Sequence, residues 1–221
     1  MPWGSIQPIN LSRFCQRTKW PAAETVFARR RWPVSTVFTR VALFSIALVV
    51  ATAGLGLWIG DLHGQTDPAV LRWGTVHRLS GIFSGLTVVL VNSMTVTYFI
   101  GTGRWCREVA ETYALDASFI ERSKQLKRQA FPWAVCGMLA VVVIVALGGA
   151  ADPASGRPGT EQWVSLHLVG SLACVALIGF CYQAQMSGIR GQQRLIDEVL
   201  AAVREIRIAR GLETEDAAVA S

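Results

Sequence analysis

Two histidines carry the clearest chemical signal in the chain. Trp73-Gly-Thr-Val-His77 recurs ninety residues later as Trp163-Val-Ser-Leu-His167. Each histidine lies about a turn below the start of a long apolar stretch, where an ionisable side chain is expensive and marks function by default. Two neutral imidazoles at one depth suit the two axial positions of a single heme iron. A six-coordinate iron of that kind favours electron transfer over oxygen chemistry. The neighbours fit a flat macrocycle: Ser80, Gly81 and Ser84 follow His77 at i+3, i+4 and i+7, and Gly170, Ser171 and Cys174 follow His167 likewise. Arg78 stands where it could pair with a heme propionate. The expected cofactor is therefore heme b, with His77 and His167 as its metal ligands.

The same residues admit other chemistry. Small side chains at helical spacing also let membrane helices approach closely, and Gly81-x-x-x-Gly85 is itself such a motif. A quinone or proton site, a bare metal ion or a purely structural pair of histidines would use the same positions. His63, near Asp61 and Asp67, reads as an exposed loop residue, with a role as third metal ligand as the other option. Asn92, Thr95, Thr97, Gln183 and Gln185 lie toward the opposite membrane half, too few and too uncharged for an ion path, and imply interhelical hydrogen bonds. No catalytic set is visible: no glycine-rich phosphate loop, no His-Glu-x-x-His, no Cys-x-x-Cys. The expectation is a protein without catalytic activity of its own.

The elements that must position these residues follow from composition. Of 221 residues 52% are hydrophobic and 16% charged, well short of the roughly 25% charge of a soluble domain. Four windows lack Asp, Glu, Lys and Arg: Val41–Gly60, Leu79–Gly103, Ala130–Ala151 and Gln162–Ile189, of 20, 25, 22 and 28 residues. Each meets the roughly 20 residues that cross a hydrocarbon core of about 30 Å. Backbone amides in lipid must be satisfied internally, so the windows imply helices. The first is too long for the apolar core of a cleavable signal peptide and lies behind a long basic segment.

Eighteen of the 21 Lys and Arg residues fall before the first window, between the second and third, or after the fourth. That bias places both termini in the cytoplasm, in a membrane read as the bacterial inner membrane. Trp58, Trp73 and Trp163 fall at the outer ends and Trp32, Trp105 and Trp133 at the inner ends, as an aromatic belt requires. The net charge of +6 resides in segment 1–40, which reads as an arm lying on anionic headgroups; nucleic acid is not implied. Cys15 and Cys106 fall on the cytoplasmic side, and Cys136, Cys174 and Cys181 fall in helices. None is placed for an external disulfide.

At the ninety-residue offset Gly101 meets Gly191, Glu108 meets Glu198, and windows one and three coincide without a gap. The fold expected is all-α: an integral membrane four-helix bundle of two tandem hairpins related by a pseudo-twofold axis. Its parts are a basic arm (1–40), a first hairpin (41–109), a cytoplasmic linker (110–130), a second hairpin (131–199) and an extension with tail (200–221). Ser118-x-x-Glu121 predicts a short capped helix in the linker, and Pro132 sits in the first turn of helix three. Leu195, Val199, Val203 and Ile206 carry helix four on to about Arg210.

His77-Arg78-Leu79-Ser80-Gly81 resembles the His-Arg-x-Ser-Gly segment of the cytochrome b anchor subunits of succinate dehydrogenase and fumarate reductase. That resemblance implies a quinone beside Arg78 and Ser80, and heme on other histidines. Four helices with paired histidines are also similar to one half of a heme A synthase, although that family's glutamate-containing helix motif is absent. Gly103-Arg104-Trp105-Cys106-Arg107-Glu108-Val109 and Phe131-Pro132-Trp133-Ala134 resemble a bacterial membrane family with no activity to carry over. The function expected is that of a membrane b-type heme electron-transfer protein or anchor subunit. It would sit in the lipid bilayer with a redox partner subunit, a quinone or a second copy of itself. The competing expectation is a structural or assembly subunit without cofactor.

Overall fold

The computed structural model describes residues 34–212. The basic arm up to residue 33, with Cys15, Trp32 and its four prolines, and the tail from 213 lie outside the described residues. Among the described residues there are four long helices: α1 (Val34–Ile59), α2 (Pro68–Tyr113), α3 (Ser118–Ala151) and α4 (Val164–Ala209). Two single 3₁₀ turns, Pro153–Ser155 and Glu161–Trp163, lie between α3 and α4, and no strand occurs among the described residues. All four are long and apolar enough to cross a membrane. The described residues up to Ile206 form one compact unit, and those from 207 belong to a second. Of the second only 207–212 is described; it completes α4 and ends with the Leu212 amide donating to the Arg207 carbonyl at 2.9 Å.

Local chemistry sets the ends of α2. Asp67 caps it by accepting from the Ala69 amide at 2.8 Å, and Pro68 occupies the first turn, where no amide hydrogen is needed. At the other end Ala114 adopts a left-handed conformation, φ 51°, and returns its amide to the Ala110 carbonyl. An L-residue with a Cβ is strained there by about 1 kcal/mol. Ala114→Gly is therefore expected to raise stability by roughly 0.5–1 kcal/mol, read as a higher midpoint for thermal unfolding of the purified protein.

Two expectations for the inner connection change. The turn between α2 and α3 spans only 114–117, and α3 runs unbroken through Pro132 to Ala151. Ser118 is the first helical residue, not the cap; Ala117 is the cap, with no side-chain bond of its own, and the Asp116 carboxylate before it accepts from the Ser118 amide at 2.7 Å. Tertiary packing carries the helix across the proline. Leu126 abuts Gly191, and the Ala130 methyl would stand 3.0 Å from a Cβ at Gly188. Arg122 grips Glu198 with two bonds of 2.6 and 3.0 Å. The α4 extension is as expected, with Leu195 and Val199 fully buried.

The four helices form a bundle in which α2 and α4 face each other across the middle. α1 meets α2 through the Thr52 and Ser84 hydroxyls, 2.9 Å apart, and meets α4 through Ser45 and the Tyr182 hydroxyl at 3.1 Å. α3 meets α2 where Asn92 lies on Gly137, and meets α4 at Gly188 and Gly191. Across the middle, the Gln185 amide donates to Asn92 Oδ1 at 2.9 Å and Gln192 reaches Cys106 Sγ at 3.7 Å. Thr97 and Gln183 are exposed, while Asn92, Thr95 and Gln185 are buried. For helices long and apolar enough to cross a membrane, close approach at small residues and such bonds would supply the attraction that water cannot provide in lipid.

Burial follows two registers. Val88, Val91, Asn92, Thr95 and Phe99 of α2 are buried, and so are Ile178, Cys181, Tyr182, Gln185 and Ile189 of α4, ninety positions on. On α1 the buried residues are Phe38, Ala42, Ser45 and Val49. Their counterparts by burial on α3 are Ala130, Ala134, Gly137 and Val141, a shift of 92. At a shift of ninety they would be Arg128, Pro132, Val135 and Leu139, all exposed. The gapless register expected for windows one and three is therefore two residues out. The discrepancy is absorbed between helix end and histidine: Ile59 to His77 is two residues longer than Ala151 to His167.

Candidate functional site

The end of the bundle that carries the 60–67 and 152–163 connections, called outer from the expected charge bias, brings His77 and His167 together. His77 lies in the third turn of α2 and His167 in the first turn of α4. Each imidazole rests on a glycine of the preceding helix. A Cβ at Gly56 would stand 2.7 Å from His77 Cε1, and one at Gly148 would stand 3.2 Å from His167 Cε1. Gly56 and Gly148 are thus the seats of the two rings.

The rings lie with centroids 6.4 Å apart and planes inclined by 71°. Each uses Nδ1 for a protein partner: Nδ1 of His77 is 3.1 Å from the Thr52 carbonyl, and that of His167 is 3.3 Å from Ser171 Oγ. Neither Nε2 has a hydrogen-bond partner among the described residues. Metal-ligating histidines characteristically spend one nitrogen on such a partner and keep the other for the metal. Metal–imidazole bonds are short, ~2.0–2.1 Å, so only rings brought as close as these could share one ion. No residue of α4 from Val164 to Leu177 is buried, whereas ten from Ile178 to Val199 are. The first half of α4 is thus less tightly packed than its second half. His77 and His167 are the residues that would hold a heme between α2 and α4.

The small residues expected to line the gap are spread over several contacts. Ser80 bonds its own helix, donating to the His77 carbonyl at 2.9 Å. Ser84 is buried against Thr52. Gly81 has the Thr52 methyl 4.0 Å from its Cβ position, and Gly170 has Leu147 Cδ1 at 2.6 Å. Ser171 touches His167, and Cys174 is half-buried against the core. Thus Ser84, Gly81 and Gly170 set the approach of α2 to α1 and of α4 to α3. Arg78 pairs with Asp152 of the second outer loop at 3.1 Å and with Thr75, so the guanidinium ties α2 to that loop.

His63 differs from its expected place as an exposed loop residue. Only 15% of its side chain is exposed. Its ring bridges the two outer loops, with Nδ1 2.6 Å from Asp61 Oδ1 and Nε2 2.7 Å from Thr160 Oγ1. Among the described residues no group of three or more His, Cys, Asp or Glu could hold a bare metal ion. Backbone and side-chain bonds from His63 hold the Asp61 carboxyl below the usual carboxylate range. A lowered carboxyl stabilises the fold above its unfolded value and loses that effect as pH falls through the folded one. The latch should therefore be intact at neutral pH and release only below about pH 4. His63→Ala should return Asp61 toward its ordinary titration, as followed by carboxyl NMR shifts.

Sequence reasoning missed Gly56, Gly148, Thr52 and Asp152. A signal for the two seats was present: Leu55-Gly56 recurs as Leu147-Gly148, 92 residues on. Asp152 and Thr52 had none, since one is a loop acid and the other acts through its backbone carbonyl. In comparisons with known proteins, no family model, curated protein or solved structure matches this chain.

Proposed function

We propose that this chain is an integral membrane electron-transfer protein of the b-type cytochrome kind, with one heme held between α2 and α4 by His77 and His167. The observation that carries the reading is the imidazole pair itself: 6.4 Å between centroids, each Nδ1 spent on a protein partner and each Nε2 left free. When bound, the heme would supply a one-electron carrier. The chain's own part is to hold both rings. The Thr52 carbonyl and Ser171 fix which nitrogen faces the metal, and Gly56 and Gly148 fix where each ring lies.

The two hairpins are read as copies related by a pseudo-twofold axis along the membrane normal. Shared buried positions on α2 and α4, and again on α1 and α3, support this, as do two glycine seats at the same shift of 92. The distribution of Lys and Arg supports cytoplasmic termini and a bacterial inner membrane. Electrons would pass to a quinone, to a redox subunit docked on the basic face, or across a homo-oligomer.

One observation favours the alternative of a structural subunit without cofactor. Gly81 and Gly170 abut Thr52 and Leu147, so part of the small-residue pattern is spent on helix packing. Purification from cells supplied with a heme precursor separates the two readings. One heme per chain is expected. A colourless, folded protein would refute the cytochrome reading and leave the structural one.

A further inference from the structure

A shallow groove, open along its length, runs along one face of α3 at the basic end of the bundle. Its mouth carries Lys124, Lys127 and Arg128, and its floor continues along the same helix face as Phe131, Val135 and Leu139. Cations thus give way to an apolar strip in the direction that leads into the membrane. From Phe131 to Leu139 the strip extends roughly 12 Å at 1.5 Å per residue, most of the ~15 Å that one leaflet's acyl chains occupy. Val135 and Leu139 are 38% and 58% exposed, so the described helices leave much of this floor uncovered.

The charges are available as well. Lys124 shares its ammonium with Glu121 at 2.7 Å. Lys127 lies over the Phe131 ring, 5.8 Å from the centroid. Among the described residues Arg128 makes no close ion pair but contributes to the positive field at Glu121, so one carboxylate faces three cations and leaves them net positive. An amphiphile with an anionic head and an aliphatic tail complements both parts, the head at the three cations and one chain along Phe131, Val135 and Leu139. A general basic surface would attract headgroups without such a groove; a soluble anion would have no use for the floor.

We propose that this groove binds one anionic glycerophospholipid from the leaflet on the basic side. The proposal rests on the membrane reading of the four helices and is independent of heme. Each cation near an anionic headgroup is worth about fivefold in affinity, so losing two should cost more than tenfold.

The test uses the full-length protein in phosphatidylcholine nanodiscs doped with increasing phosphatidylglycerol. Thermal stability and co-purifying lipid are measured, with phosphatidylcholine alone and inorganic phosphate as the other arms. Phosphatidylglycerol is expected to stabilise the protein saturably and to be retained at about one molecule per chain. The surface variant Lys127→Gln/Arg128→Gln should weaken this more than tenfold, and Val135→Trp, which fills the floor, should abolish it with all charges kept. Equal stabilisation by phosphatidylcholine, reproduction by inorganic phosphate, or retained preference in both variants would overturn the proposal. Failure of the chain to enter nanodiscs at all would instead overturn the membrane reading.

Discussion

Gly56→Val should strip the protein of heme while leaving its inner half folded. The Cβ of any residue at 56 would fall 2.7 Å from His77 Cε1 and 3.3 Å from both ring nitrogens. The ring cannot retreat along its helix without losing the Thr52 carbonyl at 3.1 Å, the bond that fixes its tautomer. Displacing a ligand or its orienting partner costs 10–100-fold in metal affinity as a rule, and here both are disturbed together. Heme-to-protein ratio is the readout, expected to fall at least tenfold. Gly54→Val is the matched control, because a Cβ there has no heavy atom within 4 Å. Gly148→Ala should act in the same direction but less, since its seat leaves 3.2 Å to His167.

The second large effect lies at mid-bundle. Gly137→Leu should be the most destabilising single change on α3. Its Cβ would meet Asn92 at 2.7, 2.9 and 3.1 Å, touching both ends of the amide and its carbon. Asn92 cannot swing away, because its Nδ2 donates to the Val88 carbonyl at 2.8 Å and its Oδ1 accepts from Gln185 at 2.9 Å. Overpacking a tight site costs about 1–3 kcal/mol, and a lost interhelical bond in a membrane bundle adds about 0.6–1.7 kcal/mol. Thermal unfolding in detergent should shift down by about 3–19 °C for a chain of this length. Asn92→Ala should rescue part of the loss in a Gly137→Ala background, a coupling that a double-mutant cycle measures directly.

Much of this architecture was legible because lipid imposes few options. Four charge-free windows required four helices, and the helices occur at those places. The inner connection was not legible. Pro132 and the polar run before it look like a helix start, and only contacts from Leu126 and Ala130 to glycines 60 residues away carry α3 through. The register of α1 against α3 was misjudged because the strongest repeated residues, Trp and His, lie on α2 and α4. They carry a shift of ninety, while Gly56 and Gly148 carry 92. At the site, the histidines were visible by type and spacing. Their supports were not, since a glycine seat and a backbone carbonyl become functional only through the helix that faces them. Arg78 shows the same limit: its partner, Asp152, lies on another connection, 74 residues away.

The central claim is that His77 and His167 together hold one heme. Reduced-minus-oxidised absorption spectra of the purified wild type, His77→Leu and His167→Leu test it most directly. The wild type should give the sharp bands of a six-coordinate low-spin b-type heme, and each variant should lose them, because the only other histidine, His63, is held between Asp61 and Thr160 in the outer loops. A wild type without absorbance, or a six-coordinate spectrum persisting in either single variant, would contradict the account.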